Sequence, residues 1–276
     1  ATDVLSFAQP AMVVVGAGFI SYFATQIGIP FWIAFILGII LTGILGFIIE
    51  RTFLRPMVGE PVFSVAVLTI GIDILLRVVL DNWIGINPKY MGDPFPSFGN
   101  FGSLSIGGIT IKYLEVTALI ISLILIFVLS VFFKRSKYGV AMRATSLDQE
   151  AALAQGINVG RVFGLVWFIA GLLAAFAGFF ITGGFNTLTN SSFISALRAL
   201  PAVVIGGLDS ITGAVIGSLI IGLTQAYVGY YQFDIESAYN IRLGNGFSIV
   251  APYLIMFVIL LIKPHGLFGT EEVERV

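Results

Sequence analysis

The chain has 276 residues, 58% hydrophobic and 11% charged, with a mean hydropathy of +1.02. Soluble domains carry about 25% charged residues, so this is the composition of a membrane protein, and a net charge of −1 argues against a nucleic-acid partner. Zero cysteines and a single histidine, His265, exclude disulfides, thiolate nucleophiles and multi-histidine metal sites, and no cofactor is expected.

The chain opens at Ala1 inside an apolar pattern, with no charged segment and cleavage site of a signal peptide. Pro10 to Gln26 is a first apolar run, and Gly28-Ile29-Pro30 punctuates it. Phe31 to Ile49 predicts a span of about 28 Å, close to the hydrocarbon thickness. Gly38, Thr42 and Gly46 recur at four-residue spacing there and form a small-residue face for close helix contact. Glu50-Arg51 and Arg55-Pro56 close this span.

Val62 to Leu80 predicts a third span, which holds Asp73 and Arg77 on one helical face. Each charge costs about 2.5–3.5 kcal/mol at a helix centre on insertion scales. Two readings stand side by side: a structural ion pair facing the bundle interior, or a polar wall of a permeation path. Asp81 to Lys112 is a polar loop rich in Gly, Pro, Asn and Ser, in which Gly107-Gly108 between short alternating stretches suggests a small β-hairpin.

Tyr113 to Phe133 predicts the fourth span and Val162 to Thr182 the fifth, with Ala170, Ala174 and Gly178 on one face. Between them lies the long polar interruption Lys134 to Arg161. Its spacing predicts a short helix over Leu147 to Gln155, capped by Ser146 with Gln149 three residues on. Asp148 and Glu150 would fall in its first turn, and Gly156 would be its left-handed stop. At about 14 Å such a helix is too short to persist alone in water. It either rests on its own transmembrane ends or is a knob offered to a cytoplasmic partner.

Phe193 to Leu208 is a short apolar run containing Arg198 and Pro201, expected to be tilted, broken or re-entrant. Ile211 to Val228 carries a GxxxG face from Gly213 and Gly217, which Gly222 roughly extends. Gly229 to Asn245 is polar and aromatic, and Phe247 to Ile262 predicts the last span, interrupted by Pro252. The expected fold is therefore an all-α polytopic membrane protein with about eight transmembrane or near-transmembrane helices in one bundle. It forms a single permease domain over 1–276, with a short hairpin-like external loop.

Placing 134–161 in the cytoplasm puts Arg51, Arg55, Lys134, Arg135, Lys137, Arg143, Arg161, Lys263 and Arg275 inside, against Lys89, Lys112 and Arg242 outside. That is a positive-inside bias if Phe193 to Leu208 crosses once. There is no GxxxxGK[ST] and no catalytic constellation, so no enzymatic activity is expected. Intramembrane charge is confined to Asp73, Arg77 and Arg198, with no carboxylate chain for proton relay. The residues alone describe a transporter or channel without its own engine.

Four ordered segments carry a resemblance. They are Ile49-Glu50-Arg51 with Leu54-Arg55-Pro56; Arg143-Ala144 through Asp148, Ala151-Ala152, Gly156-Ile157-Asn158 and Arg161; Ala202 to Gly217; and Lys263 to Gly269 with the tail Glu272 to Val276. Across nearly its whole length the chain resembles the LivH-type permease subunits of branched-chain amino acid ABC importers. Phe7-Ala8-Gln9-Pro10 departs from the family's common FAHG, and the family's first helix would lie upstream of Ala1. The resemblance implies a heterodimer with a second, homologous permease, two cytoplasmic ATPase subunits, an external solute-binding protein and an inner-membrane location. It implies that 134–161 is a coupling loop, with Arg143, Ala144, Asp148, Ala151, Ala152 and Gly156 gripping the ATPase. Branched-chain amino acids are the expected cargo, with urea or short amides as the alternative within the family. A stand-alone channel or ion-coupled carrier using Asp73, Arg77 and Arg198 is the alternative outside it.

Overall fold

The structure, a computed structural model, describes residues 6–85, 89–92, 103–106, 109–182, 187–189, 192–244 and 246–269. The Gly107-Gly108 turn, part of the 183–192 loop and the tail from 270 onward lie outside the described residues. Among the described residues, six helices are long and apolar enough to cross a membrane, and two shorter apolar helices follow the fifth and sixth of them. The chain divides into two compact units, residues 1–196 and 197–276.

The first unit is built on three helices in close contact. Helix α1 (Gln9–Ser21) continues through a π-helical turn, Tyr22–Ile27, to a left-handed stop at Gly28. Helix α2 (Phe31–Ile49) follows, and α7 (Val159–Thr182) packs on both. Glycines set the spacing. A Cβ on Gly16 would lie 2.6 Å from the Ala175 Cα, and one on Gly178 would collide with the Val13 carbonyl. One on Gly171 would strike the Thr42 carbonyl, and one on Gly46 the Trp167 carbonyl. Gly38 faces Ile20, whose Cγ1 stands 2.5 Å from the absent Cβ. Hydrocarbon tails are as apolar as leucine, so helices in lipid associate by such backbone approach rather than by hydrophobic exclusion. Around the contact, Phe35 and Phe179 meet edge to face at 5.1 Å, and Met12, Ile49, Ile72 and Trp167 fill a second cluster.

Helix α3 (Val62–Ile84) lies against α1. The Phe7 N–H donates to Thr69 Oγ1 at 3.1 Å, and Ser21 Oγ donates to the Tyr90 carbonyl at 2.7 Å. The α3 helix runs through Asp81, Asn82 and Trp83, past the expected end at Leu80, because nothing breaks it before Gly85 at φ 87°. Strands β1 (Ser103–Ile106) and β2 (Ile109–Lys112) pair antiparallel, Ser103 opposite Lys112. Helix α4 (Tyr113–Arg135) buries only Leu114 among its described residues, leaving a long apolar face for lipid or a partner.

In the second unit, α9 (Ala199–Gly206) packs closely on α10 (Ile211–Tyr239). Gly213 and Gly217 face the Gly206 and Ala202 carbonyls, so neither position has room for a Cβ. Gly222, expected to extend this face, meets nothing within 4 Å. Position 222 is five beyond 217, and 3.6 residues per turn carries it off the face. Helix α10 also runs eleven residues beyond the expected Val228, since polar and aromatic residues end an apolar run without ending a helix. Asn240, left-handed at φ 50°, stops it. Helix α11 (Phe247–Ile262) keeps Pro252 buried inside it. The segment after α11 folds back onto α9, with the Leu267 and Phe268 N–H groups donating to Ile205 and Gly206 at 2.8 and 3.1 Å. Gly207 (φ 104°) and Gly266 (φ 78°) permit that approach.

The glycine contacts predict contrasting responses. Gly171→Ala should destabilise the detergent-solubilised chain by about 1–3 kcal/mol, the usual range for overpacking. Gly222→Ala, in open space on a helix, should be neutral or raise stability by up to about 1 kcal/mol. Thermal unfolding of both variants checks the contrast.

Candidate functional site

The polar interruption between α4 and α7 folds into two helices, not one. Ser136 accepts from the Gly139 N–H at 2.8 Å and starts α5 (Lys137–Leu147). The expected capping box is not formed, because Ser146 is still inside α5 and donates to the Arg143 carbonyl. Asp148, extended at φ −159°, is the cap instead: its Oδ1 accepts from the Ala151 N–H at 2.9 Å and starts α6 (Gln149–Ala154). The α6 helix is thus shorter than the expected Leu147 to Gln155.

Its exit is closed by backbone hydrogen bonds. Gly156 is left-handed at φ 80°, and the Ile157 N–H reaches back to the Ala152 carbonyl at 3.0 Å, a Schellman closure. Asn158 then caps α7, its Oδ1 accepting from the Arg161 N–H at 3.0 Å. Beneath, Met142, Val159, Val162 and Phe163 form a small core with Phe132 and Phe133, which joins α5 to the flanking ends of α4 and α7, while α6 lies against α5 and α7.

Within this loop the residues named from sequence divide by role. Ala152 is buried, Asp148 is a cap and Gly156 a turn. Arg143 and Ala151 are exposed, and Ala144 is half-buried. Flanking and within α6, two exposed apolar groups stand out that sequence reasoning passed over. Leu147 is 88% exposed and Leu153 57% exposed. Two leucines bared on a polar loop are a signal, but only the tertiary packing says which leucines are bared.

The intramembrane charges also divide. Arg77 Nη2 donates to Asp73 Oδ2, and its guanidinium lies 3.1 Å over the Phe193 ring, a cation–π contact. Asp73 is only 4% exposed, and its Oδ1, like Arg77 Nε, has no hydrogen-bond partner among the described residues. Arg198 belongs to the second unit, at the turn between α8 (Ser192–Leu197) and α9, where the chain breaks. Among the described residues, no group of three or more His, Cys, Asp or Glu side chains could hold a metal ion.

One pair was missed altogether. Glu50 is fully buried at the end of α2 and is bound by Arg55, which also donates to the Gly160 carbonyl of α7. Five residues is not a spacing at which helical side chains normally meet, so sequence gave no cue.

Comparison with known proteins adds the remaining evidence. Residues 1–262 match the family described as "Branched-chain amino acid transport system / permease component". The high-affinity branched-chain amino acid permease protein BraD of Pseudomonas aeruginosa is 29% identical over 244 residues, covering 88% of this chain and 76% of the relative. LivH of Salmonella typhimurium is 30% identical over 248 residues, 88% of this chain and 75% of the relative. The probable LivH of Methanocaldococcus jannaschii is 26% identical over 275 residues, 98% and 84% of the two chains. No solved structure matches. With six membrane-length helices and a match over nearly its whole length, the chain belongs to the permease-component family of branched-chain amino acid transport systems.

Proposed function

We propose that this chain is the transmembrane permease subunit of an ABC importer that moves leucine, isoleucine and valine inward by alternating access. The names of BraD and LivH support the cargo. In this reading it sits in the inner membrane beside a second, homologous permease and receives substrate from an external solute-binding protein. Two ATPase subunits at the cytoplasmic face drive it, since the chain holds no phosphate-cradling loop of its own.

The observation that carries the mechanism is α6 with its flanks. A six-residue helix closed at both ends by caps, lying against α5 and α7 and baring Leu153, with Leu147 bared at the end of α5 just before it, is built to be pushed as a solid piece. Basic residues cluster on that side of the chain, which favours a cytoplasmic position. ATPase closure displaces α6, and the packed α5–α6–α7 junction carries the displacement into the membrane. Asp73 and Arg77 act as a structural ion pair steadying α3, because the carboxylate is almost wholly enclosed.

Three outcomes are expected. Burying a leucine contributes about 1.5–3 kcal/mol, so Leu147→Glu with Leu153→Glu should weaken ATPase binding at least about a hundredfold. Membrane insertion should be intact, and unchanged co-purification of the ATPase would sink the docking assignment. Arg77→Ala should destabilise the chain by roughly 3–5 kcal/mol, the range for stranding a buried charge. Asp73→Leu with Arg77→Leu should recover most of that loss, as read by unfolding in detergent. Finally, the reconstituted complex should accumulate labelled leucine in competition with isoleucine and valine but not with urea; competition by urea alone would overturn the cargo.

A further inference from the structure

The Glu50–Arg55 pair sits where the coupling loop meets the bundle. Arg55 Nε donates to Glu50 Oε1 at 3.2 Å and Nη2 to Oε2 at 3.0 Å, a two-pronged fork. The same Nη2 donates to the Gly160 carbonyl in the first turn of α7 at 2.7 Å. Glu50 is 1% exposed, whereas the Arg55 side chain is 37% exposed at the rim.

Local backbone makes the pair possible. In an α-helix, side chains five apart point about 140° away from each other. Here Glu50–Leu54 is a π-helical turn, closed by the Arg55 N–H donating to the Glu50 carbonyl. The wider turn, with its i→i+5 bond, brings residues 50 and 55 onto one face. The facing surface of α7 is cleared to receive them. A Cβ on Gly164 would lie 2.6 Å from the Phe47 ring and 3.3 Å from Glu50 Oε2, and one on Gly160 would lie 3.4 Å from Arg55 Cζ. A buried carboxylate matched by one guanidinium fork is a joint that resists slipping, because separating the partners strands a charge in a low-dielectric site.

We propose that Glu50 and Arg55 are the strut that locks the cytoplasmic end of α2 to α7, so that displacement of α6 moves both helices together. This rests on the reading of α6 as the helix the ATPase grips. From α6 the hydrogen-bonded exit Gly156-Ile157-Asn158 leads to Gly160 within one turn, and Arg55 passes the movement from Gly160 to α2. Arg55 is therefore a positioning residue: its contacts are with Glu50 and the Gly160 carbonyl, and it acts by keeping two helices in register.

The chain has no cysteine, so introduced pairs need no native thiol of this chain removed, and the partner subunits are used in cysteine-free form. Spin labels at the exposed positions Arg51 and Arg161, in the complete transporter in nanodiscs, measure the α2–α7 separation with and without ATP plus vanadate. In the otherwise unaltered chain the distance should stay the same in both states; a separation that changes with nucleotide overturns the strut. In Arg55→Met the distribution should broaden and become nucleotide-dependent. The same variant should retain its ATPase and its basal ATP hydrolysis while leucine accumulated per ATP falls about tenfold, an ordinary coupling magnitude. Arg55→Lys, which keeps the charge but loses the fork, should fall between. An unchanged leucine-to-ATP ratio in Arg55→Met overturns the proposal. Failure of the α6 reading is separately visible, as an ATPase that stays bound to the Leu147→Glu, Leu153→Glu variant.

Discussion

Backbone-to-backbone approach among α1, α2 and α7 is the constraint on which the first unit depends. In water a bundle gains stability by excluding solvent from apolar faces; in lipid that gain is already present before helices meet. What remains is dispersion between surfaces close enough to touch, and dispersion falls away steeply with a gap of even half an ångström. Glycine at 16, 38, 46, 171 and 178 lets main chains come within that range. The second unit repeats the device with Gly206, Gly213 and Gly217.

The same close contact places the loop between α4 and α7 on a rigid support. Helix α7 begins only three residues beyond the Gly156 stop and then lies along α2 and α1 for most of its length. Caps at Asp148 and Asn158 and a Schellman closure at Gly156 tie the chain from α6 into α7. Charge enters this frame sparingly. Glu50–Arg55 lies at the rim and joins two helices; Asp73–Arg77 lies within one helix and is backed by the Phe193 ring.

Much of this was legible in the residues. Apolar run length located all six membrane-length helices, because the hydrocarbon thickness imposes a length that composition must satisfy. Gly156 announced its left-handed stop and Gly28 a break between helices, and the small-residue spacing of Gly38, Gly46, Gly213 and Gly217 pointed to surfaces where helices meet. The misplaced features share a cause. Ser146 satisfies the capping pattern, yet Asp148 is the cap, because α5 carries the chain through Ser146 before it turns. A helix end was read at Val228 from falling hydropathy, although hydropathy reports the environment and not the backbone.

What the sequence determined by itself was the membrane class, the spans, the absence of a nucleotide-cradling motif and the family, all of which rest on composition, run length and ordered local motifs. Tertiary structure decided which residues of the loop face outward and which brace it. Leu147 and Leu153 are bared while Ala152 is buried, a difference set by which elements the fold brings over each position. It also decided the partnership of Glu50, Arg55 and Gly160. That contact needs a π-helical turn to align residues five apart and a glycine-cleared helix 105 positions away to receive them. Local pattern carries neither condition, because both are set by where the chain returns.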